Sequence, residues 1–316
     1  MNDFFLPFDF SPSIDIKITH NSKLIFLGSC FSDEISKLST LNGFQNCSNP
    51  FGTIFHPIAL ANVIMNTIDE PIVYDSYINS EGNHFSLLAS SKIFADSKSL
   101  LFNEINNISK SFYASIRSSD ILFVTFGTAW GYMDKKNKII TANCHKMPKE
   151  LFSKELSSID SMFQTWTNVI KKLTDLNPNL KIVFTVSPVR HLKDGLVENN
   201  RSKSRLIELV NKLKDTYDVV YFPSYEIVID QLRDYRFYKV DRVHPNREAI
   251  NFVWSKFMNY FMSSKTVELS KKIKNVKESL NHVAFNPQSN AYKKHLNTTL
   301  LKKKEISELY PSINWK

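Results

Sequence analysis

Lys23-Leu24-Ile25-Phe26-Leu27-Gly28-Ser29-Cys30-Phe31 is the stretch on which the fold turns. Four consecutive apolar side chains, Leu24 to Leu27, closed by a glycine, suit a buried strand of a parallel sheet. Gly28 permits a sharp turn that a residue with a Cβ would resist. A helical segment follows from Ser32 to Leu41, with Asp33 and Glu34 near its start and Gly43 as its stop. Two nucleophile-type side chains, Ser29 and Cys30, therefore fall at a strand-to-helix turn. Unpaired N–H groups and the dipole favour negative charge at a helix start. A thiol there is expected to lose its proton more readily, and an oxyanion to find a donor.

Outward from this turn, strand and helix signals alternate. Phe44 to Cys47 reads as a short strand leading into the turn Asn49-Pro50-Phe51-Gly52, and Ile58 to Ile68 is apolar at helical spacing. Residues 71 to 102 read as hairpin or loop, and Phe102 to Ile116 as a helix. Asp120 to Phe126 is the clearest strand, ended by Gly127, and residues 132 to 153 read as a long connection. A helix with Ile159, Met162, Phe163, Trp166, Ile170 and Leu173 on one face stops at Asn177-Pro178. Strands at Lys181 to Val186 and Val219 to Phe222 flank a helix marked by Leu206, Leu209, Val210 and Leu213. Tyr225 to Tyr235 reads as helical, and a further helix carries Ile250, Val253, Trp254 and Phe257. The pattern predicts an α/β fold: a three-layer, mostly parallel five-stranded sheet in the flavodoxin-like order. In that order ligands bind beyond the carboxyl ends of the strands, at the switch between the first and third. The Gly28 turn and the Gly127 turn meet there.

The chain has 316 residues, 42% hydrophobic and 13% aromatic, which suits a packed core rather than disorder. Its three cysteines, Cys30, Cys47 and Cys144, are an odd count without CxxC spacing, which argues against a disulfide framework and a cysteine-held zinc. The first residues carry no signal-peptide pattern and no apolar run reaches membrane-spanning length, so a soluble, cytoplasmic protein is expected. The net charge of +9 is concentrated after Ser264, where eleven lysines face four acids; the rest of the chain has 29 basic against 27 acidic residues. Ile273, Val276 and Leu280, then Leu296, Leu300 and Ile306, fall near helical spacing. Residues 265–316 therefore read as a basic helical extension packed on a domain spanning 1–264, with lysines on its solvated faces. Too few aromatic residues interleave these lysines to make a nucleic-acid surface, so no nucleic acid and no membrane partner is expected.

Asp241 and His244 stand three apart in a loop before a proline that can start a helix. An aspartate so placed can accept one imidazole N–H and leave the other ring nitrogen to take a nucleophile's proton. Six blocks now carry a resemblance: Gly28-Ser29-Cys30-Phe31, Asn49-Pro50-Phe51-Gly52-Thr53, Gly127-Thr128-Ala129-Trp130, Ala142-Asn143-Cys144-His145-Lys146, Ser187-Pro188-Val189-Arg190-His191 and Asp241-Arg242-Val243-His244-Pro245. The chain resembles the GSCFA-domain family across nearly its whole length, with Ser32 where that family usually has alanine. That family is in turn similar to the SGNH (GDSL-type) hydrolases, which act on esters and acyl groups.

The resemblance implies roles. Gly28 matches the glycine of the SGNH first block, Ser29 its aspartate and Cys30 its nucleophilic serine. Cys30 is thus the favoured nucleophile and Ser29 the alternative. Gly52 matches the second-block glycine, whose N–H serves an oxyanion hole. Gly127 matches the third block, but its asparagine falls at Ala129, which removes a donor whose loss can cost about a hundredfold in rate. Asn143, Thr128 and Asn49 are the candidate replacements. Asp241 and His244 match the last block. Arg190 and His191 are candidates for an anionic substrate group, with a structural ion pair the competing reading. Cys144-His145 reads as a loop pair rather than a metal site. The expected activity is hydrolysis of a carboxylic ester or related acyl group, on a small-molecule or glycan-derived acylated substrate, with no cofactor and no metal. The competing expectation is a degenerate fold that binds an acyl or sugar ligand without turnover.

Overall fold

The computed structural model describes residues 16–69, 77–78, 82–282 and 285–315. The start of the chain, read above for targeting signals, and part of the 71–102 segment lie outside the described residues. In chain order the elements are β1 (Lys23–Gly28), α1 (Cys30–Leu41), β2 (Gln45–Ser48), α2 (Pro57–Ile68), β3 (Tyr77–Ile78), β4 (His84–Phe85) and α3 (Lys98–Ser118). Then come β5 (Ile121–Phe126), β6 (Trp130–Asp134), β7 (Ile139–Ile140), β8 (Phe152–Leu156), α4 (Ile159–Leu176), β9 (Lys181–Val186) and α5 (Gly195–Thr216). The chain continues through β10 (Val219–Tyr221), α6 (Ser224–Glu226), α7 (Arg247–Phe261), α8 (Ser264–Leu280) and α9 (Asn290–Leu309).

The main sheet has five parallel strands in the order β10-β9-β5-β1-β2, the flavodoxin-like arrangement expected from the alternation. Its strands read as continuous apolar runs because both faces are covered. Ile25, Leu27, Leu122, Val124, Phe126, Phe184 and Val186 point into one core with residues of α2, α3, α4 and α5. Leu24, Phe26, Ile121, Phe123, Val183 and Val220 point into the other with α1 and α7, where Phe257 and Phe261 pack against Phe123 and Trp254 stacks on Phe257. The period-two alternation of a strand thus assigns each side chain to one of two cores.

Three segments differ from the sequence reading. The 132–153 connection contributes β7 and parts of β6 and β8 to a small antiparallel sheet in the order β7-β6-β8. Helix α1 starts at Cys30, two residues earlier than its apolar pattern indicates, because Ser29 caps it. The Tyr225 to Tyr235 segment is not one regular helix: short α6 runs into a π-turn at Ile227–Gln231 and then a 3-10 turn at Tyr235–Phe237. The C-terminal helices touch the body around Gly43 and Thr40. Ile273 is buried beside Gly43, the Asn314 N–H donates to Gly43 O, and Lys277 Nζ donates to Thr40 O at 2.6 Å. No helix among the described residues is long and apolar enough to cross a membrane.

Gly28 adopts φ +116°, and a Cβ on it would lie 2.1 Å from Thr125 O, a backbone atom of the neighbouring strand. Neither strand can yield without breaking the β1–β5 ladder. Gly28→Ala is expected to cost more than about 3 kcal/mol, read as a fall in urea midpoint.

His56 caps α2 through an unusual side chain: Nδ1 accepts from the Ile58 N–H at 3.1 Å and Nε2 donates to Ala129 O at 3.1 Å. Accepting at Nδ1 requires the neutral ring, and burial pushes its pKa down to about 4. The unfolded chain takes up that proton near pH 6.5, so the contribution is whole above that pH and lost as pH falls towards 4. The loss amounts to about 3 kcal/mol. Denaturation at pH 7 and pH 4.5 is expected to show a clearly smaller acid loss in His56→Gln than in the native protein.

Candidate active site

The Gly28 turn is held from three sides. The Gly28 N–H donates to Asn49 Oδ1 at 2.7 Å, Gly28 O accepts from the Ile54 N–H at 2.9 Å, and the Ser29 N–H donates to Thr125 O at 3.1 Å. Asn49 Nδ2 reaches on to Asp33 Oδ1 at 2.7 Å, so this one side chain ties the end of β1 to the first turn of α1. Ser32 Oγ lies 2.9 Å from Leu27 O and 2.7 Å from Thr125 Oγ1, which gives the serine at this position a structural task.

Ser29 and Cys30 separate cleanly. Ser29 is fully buried and its Oγ accepts the Phe31 N–H at 3.2 Å, the N-cap of α1. Cys30 is the first helical residue, a free thiol that is partly accessible. The expected easing of its ionisation is not what surrounds it. Burial pushes the Cys30 thiol up, and the Asp33 and Glu34 carboxylates add to that; its own N–H and the Lys203 charge pull the other way. Desolvation outweighs the helix start.

At the last block the geometry follows the sequence. His244 Nδ1 stands 2.7 Å from Asp241 Oδ2, while Asp241 Oδ1 accepts the N–H groups of Val243 and His244. These three bonds hold the Asp241 carboxyl well below the usual range. The loop is joined to the end of β9: the Arg190 N–H donates to Val243 O and its Nη1 to Arg242 O at 2.9 Å. Arg190 is stacked on the Tyr238 ring at 4.3 Å, so its backbone and side chain fasten the His244 loop.

The expected oxyanion donors are mostly occupied. The Gly52 N–H donates to Asn49 O at 2.7 Å, and the N–H groups of Gly127 and Thr128 both go to Phe55 O. Thr128 Oγ1 pairs with Ser202 Oγ, and the Ala129 N–H also goes to Ser202 Oγ. Asn49 is a brace, and Asn143 Oδ1 accepts the His145 N–H within its own turn. His145 in turn stacks on Phe85, with Nε2 at Ser86 O. The Cys30 N–H faces its own thiol at the start of α1.

Two further residues complete the site. His191 packs edge-on against Phe55, gives its N–H to Asn199 Oδ1, and leaves its buried Nε2 without a partner beside Gly127. Burial, the Lys203 charge and then the His244 charge push it down to about 3, so it is neutral. Lys203 is the residue the sequence reading missed. It is buried, bonded to Gly127 O and Ser187 O, and pushed down by that burial to about 7. Its α5 stripe, Leu206, Leu209, Val210 and Leu213, extended back by seven residues lands on Asn199, Ser202 and Lys203, all buried. Helical phase was the signal. Lys203 thus acts electrostatically on both Cys30 and His191, and His244 on His191. Beside them opens a groove of about 360 Å³ lined by Arg190, Asn199, Tyr225, Arg233 and Tyr238 among others.

This chain belongs to the GSCFA family, which matches residues 23–257, and the C-terminal domain of GSCFA domain proteins matches residues 273–316. Among solved structures it is similar to a carbohydrate esterase family 3 protein from Talaromyces cellulolyticus, at 10% identity and a TM-score of 0.35, over 79% of this chain and 98% of that one. It is also similar to an acetyl esterase mutant with acetate ion, at 10% identity and a TM-score of 0.37, over 80% of this chain and 99% of that one. No curated protein matches the sequence.

Because the Ser29 hydroxyl caps α1 rather than facing outward, Ser29→Ala is expected to lower stability by about 1 kcal/mol. Its Cys30 should alkylate at the native rate. A Ser29→Ala protein of unchanged stability would remove the capping role.

Proposed function

We propose that this protein hydrolyses a carboxylic ester or related acyl group through Cys30. The observation that carries the reading is the 2.7 Å contact of His244 with Asp241, on a loop bonded to the sheet edge where Cys30 begins its helix. Asp241 accepts the Nδ1 proton and fixes the ring so that Nε2 is the basic nitrogen. His244 Nε2 takes the Cys30 proton as Sγ attacks the acyl carbonyl. The resulting oxyanion is held by the Cys30 N–H at the start of α1. Collapse expels the alcohol oxygen, which receives the proton from His244 and leaves an acyl-thioester. Water, deprotonated by the same nitrogen, then releases the acid and restores the thiol. No cofactor enters these steps. The groove beside Arg190 and Tyr238 offers space for the alcohol portion of a small or glycan-derived substrate.

A second reading, binding without turnover, is favoured by one observation: the Gly52 and Gly127 N–H groups are spent on backbone carbonyls, and Ala129 offers no side-chain donor. Turnover decides between them. On a panel of aryl and alkyl acyl esters, Cys30→Ala is expected to lower kcat by about a thousandfold or more and His244→Ala by about a hundredfold or more. Hydrolysis that survives both changes would overturn the mechanism. A panel left wholly uncleaved by native protein that still binds the esters would favour the second reading.

A further inference from the structure

Helix α5 carries a charge into the interior. Lys203 is 1% exposed, and its Nζ donates to Gly127 O at 2.7 Å and Ser187 O at 2.6 Å. These carbonyls lie one residue beyond β5 and β9, so the ammonium spans two adjacent strands at the carboxyl edge of the sheet. A brace between two carbonyls needs two donors and no charge; a neutral amide supplies both without the cost of burying an ion. The buried charge, when present, calls for an anion close by.

One group near Lys203 can become that anion. Cys30 follows Ser29, whose N–H donates to Thr125 O two residues before Gly127, the carbonyl of which holds Nζ. Both residues therefore stand at the carboxyl end of β5. There a Cys30 thiolate would favour the charged lysine, and the lysine favours the thiolate. The other groups facing the pair do not serve. Asp33 and Glu34, on the nucleophile's own helix, oppose the thiolate. His191 is buried and neutral, and the Tyr225 ring lies 5.9 Å from Nζ.

We propose that Lys203 is a positioning residue for the nucleophile: its buried ammonium, clamped on the carbonyls of Gly127 and Ser187, acts through Cys30 by stabilising the thiolate. The inference rests on Cys30 as the nucleophile of the proposed reaction but on no particular substrate. The thiol proton passes to His244 or to water, and nothing is oxidised or reduced.

The test reads Cys30 directly. Iodoacetamide alkylation from about pH 6 to 10, followed by peptide mass spectrometry, reports the thiolate at each cysteine, with Cys47 and Cys144 as internal references. In Lys203→Met the Cys30 rate at pH 7 is expected to fall about tenfold and its pH profile to move upward, while the references stay in place. Lys203→Arg, which keeps the charge, should retain most of the native profile. A folded Lys203→Met protein with the native Cys30 profile would overturn the proposal, as would a change shared equally by all three cysteines. If Lys203→Met does not fold, the reciprocal measurement decides. The Lys203 side-chain titration followed by NMR should move down in Cys30→Ala, and an unmoved midpoint overturns the coupling. Ester turnover plays no part in these readouts. An inactive protein with a Lys203-dependent Cys30 profile would reject the hydrolase reading and keep this one.

Discussion

The molecule depends on the close approach of Gly28 to Thr125. Two parallel strands meet there so tightly that a single added carbon would fall on a carbonyl oxygen. Each backbone group of the turn is claimed by a different segment: Asn49 and Ile54 from the chain after β2, Thr125 from β5. This arrangement explains why α1 starts where it does. With Ser29 consumed as a cap, the next side chain, Cys30, emerges at the sheet edge from a backbone that has little freedom left. Precision at Cys30 is a property of the sheet rather than of the loop.

The same constraint explains what was legible in the sequence. β9 was read to the residue, and β1, β5 and α4 nearly so, because their apolar runs and stripes are long and bounded by Gly, Asn or Pro. Sheet order followed from strand–helix alternation and the handedness of crossovers. The antiparallel sheet of β6, β7 and β8 escaped because Trp-Gly-Tyr-Met-Asp and Phe-Ser-Lys-Glu-Leu mix apolar and charged residues, and β7 is two residues long. Its order comes from tertiary context: Ala129 O receives the His56 ring and the Ser157 N–H, which fixes the start of β6.

Within the site, residue type was easier to read than residue role. Asp241 and His244 declared themselves by spacing, and the structure joins them. Asn49 and Gly52 were chosen for donor chemistry, yet the turns consume those donors: Asn49 Nδ2 goes to Asp33 and the Gly52 N–H to Asn49 O, while Asn143 spends its Oδ1 on the His145 N–H. Lys203 lies in a run, Asn199-Asn200-Arg201-Ser202-Lys203-Ser204-Arg205, that looks like a solvated helix face. Composition concealed it; only the helix phase pointed inward.

A thiol proposed as nucleophile makes different demands on its surroundings than a hydroxyl would. A hydroxyl nucleophile depends on its base at every step, whereas a thiol has an accessible anion whose population the environment sets. Here the helix start that would ordinarily favour that anion is offset by burial and by two carboxylates, Asp33 and Glu34, in the same first turns. Asp33 is not free to leave, because it anchors Ser48 and Asn49 and so the Gly28 turn itself. The residue that secures the geometry of Cys30 therefore works against its charge. A compensating cation must come from another element, must be close to the strand ends and must not disturb the turn. A lysine rising from α5 to the carbonyls of Gly127 and Ser187 meets all three conditions, which is the physical reason a buried ion is tolerated at that edge.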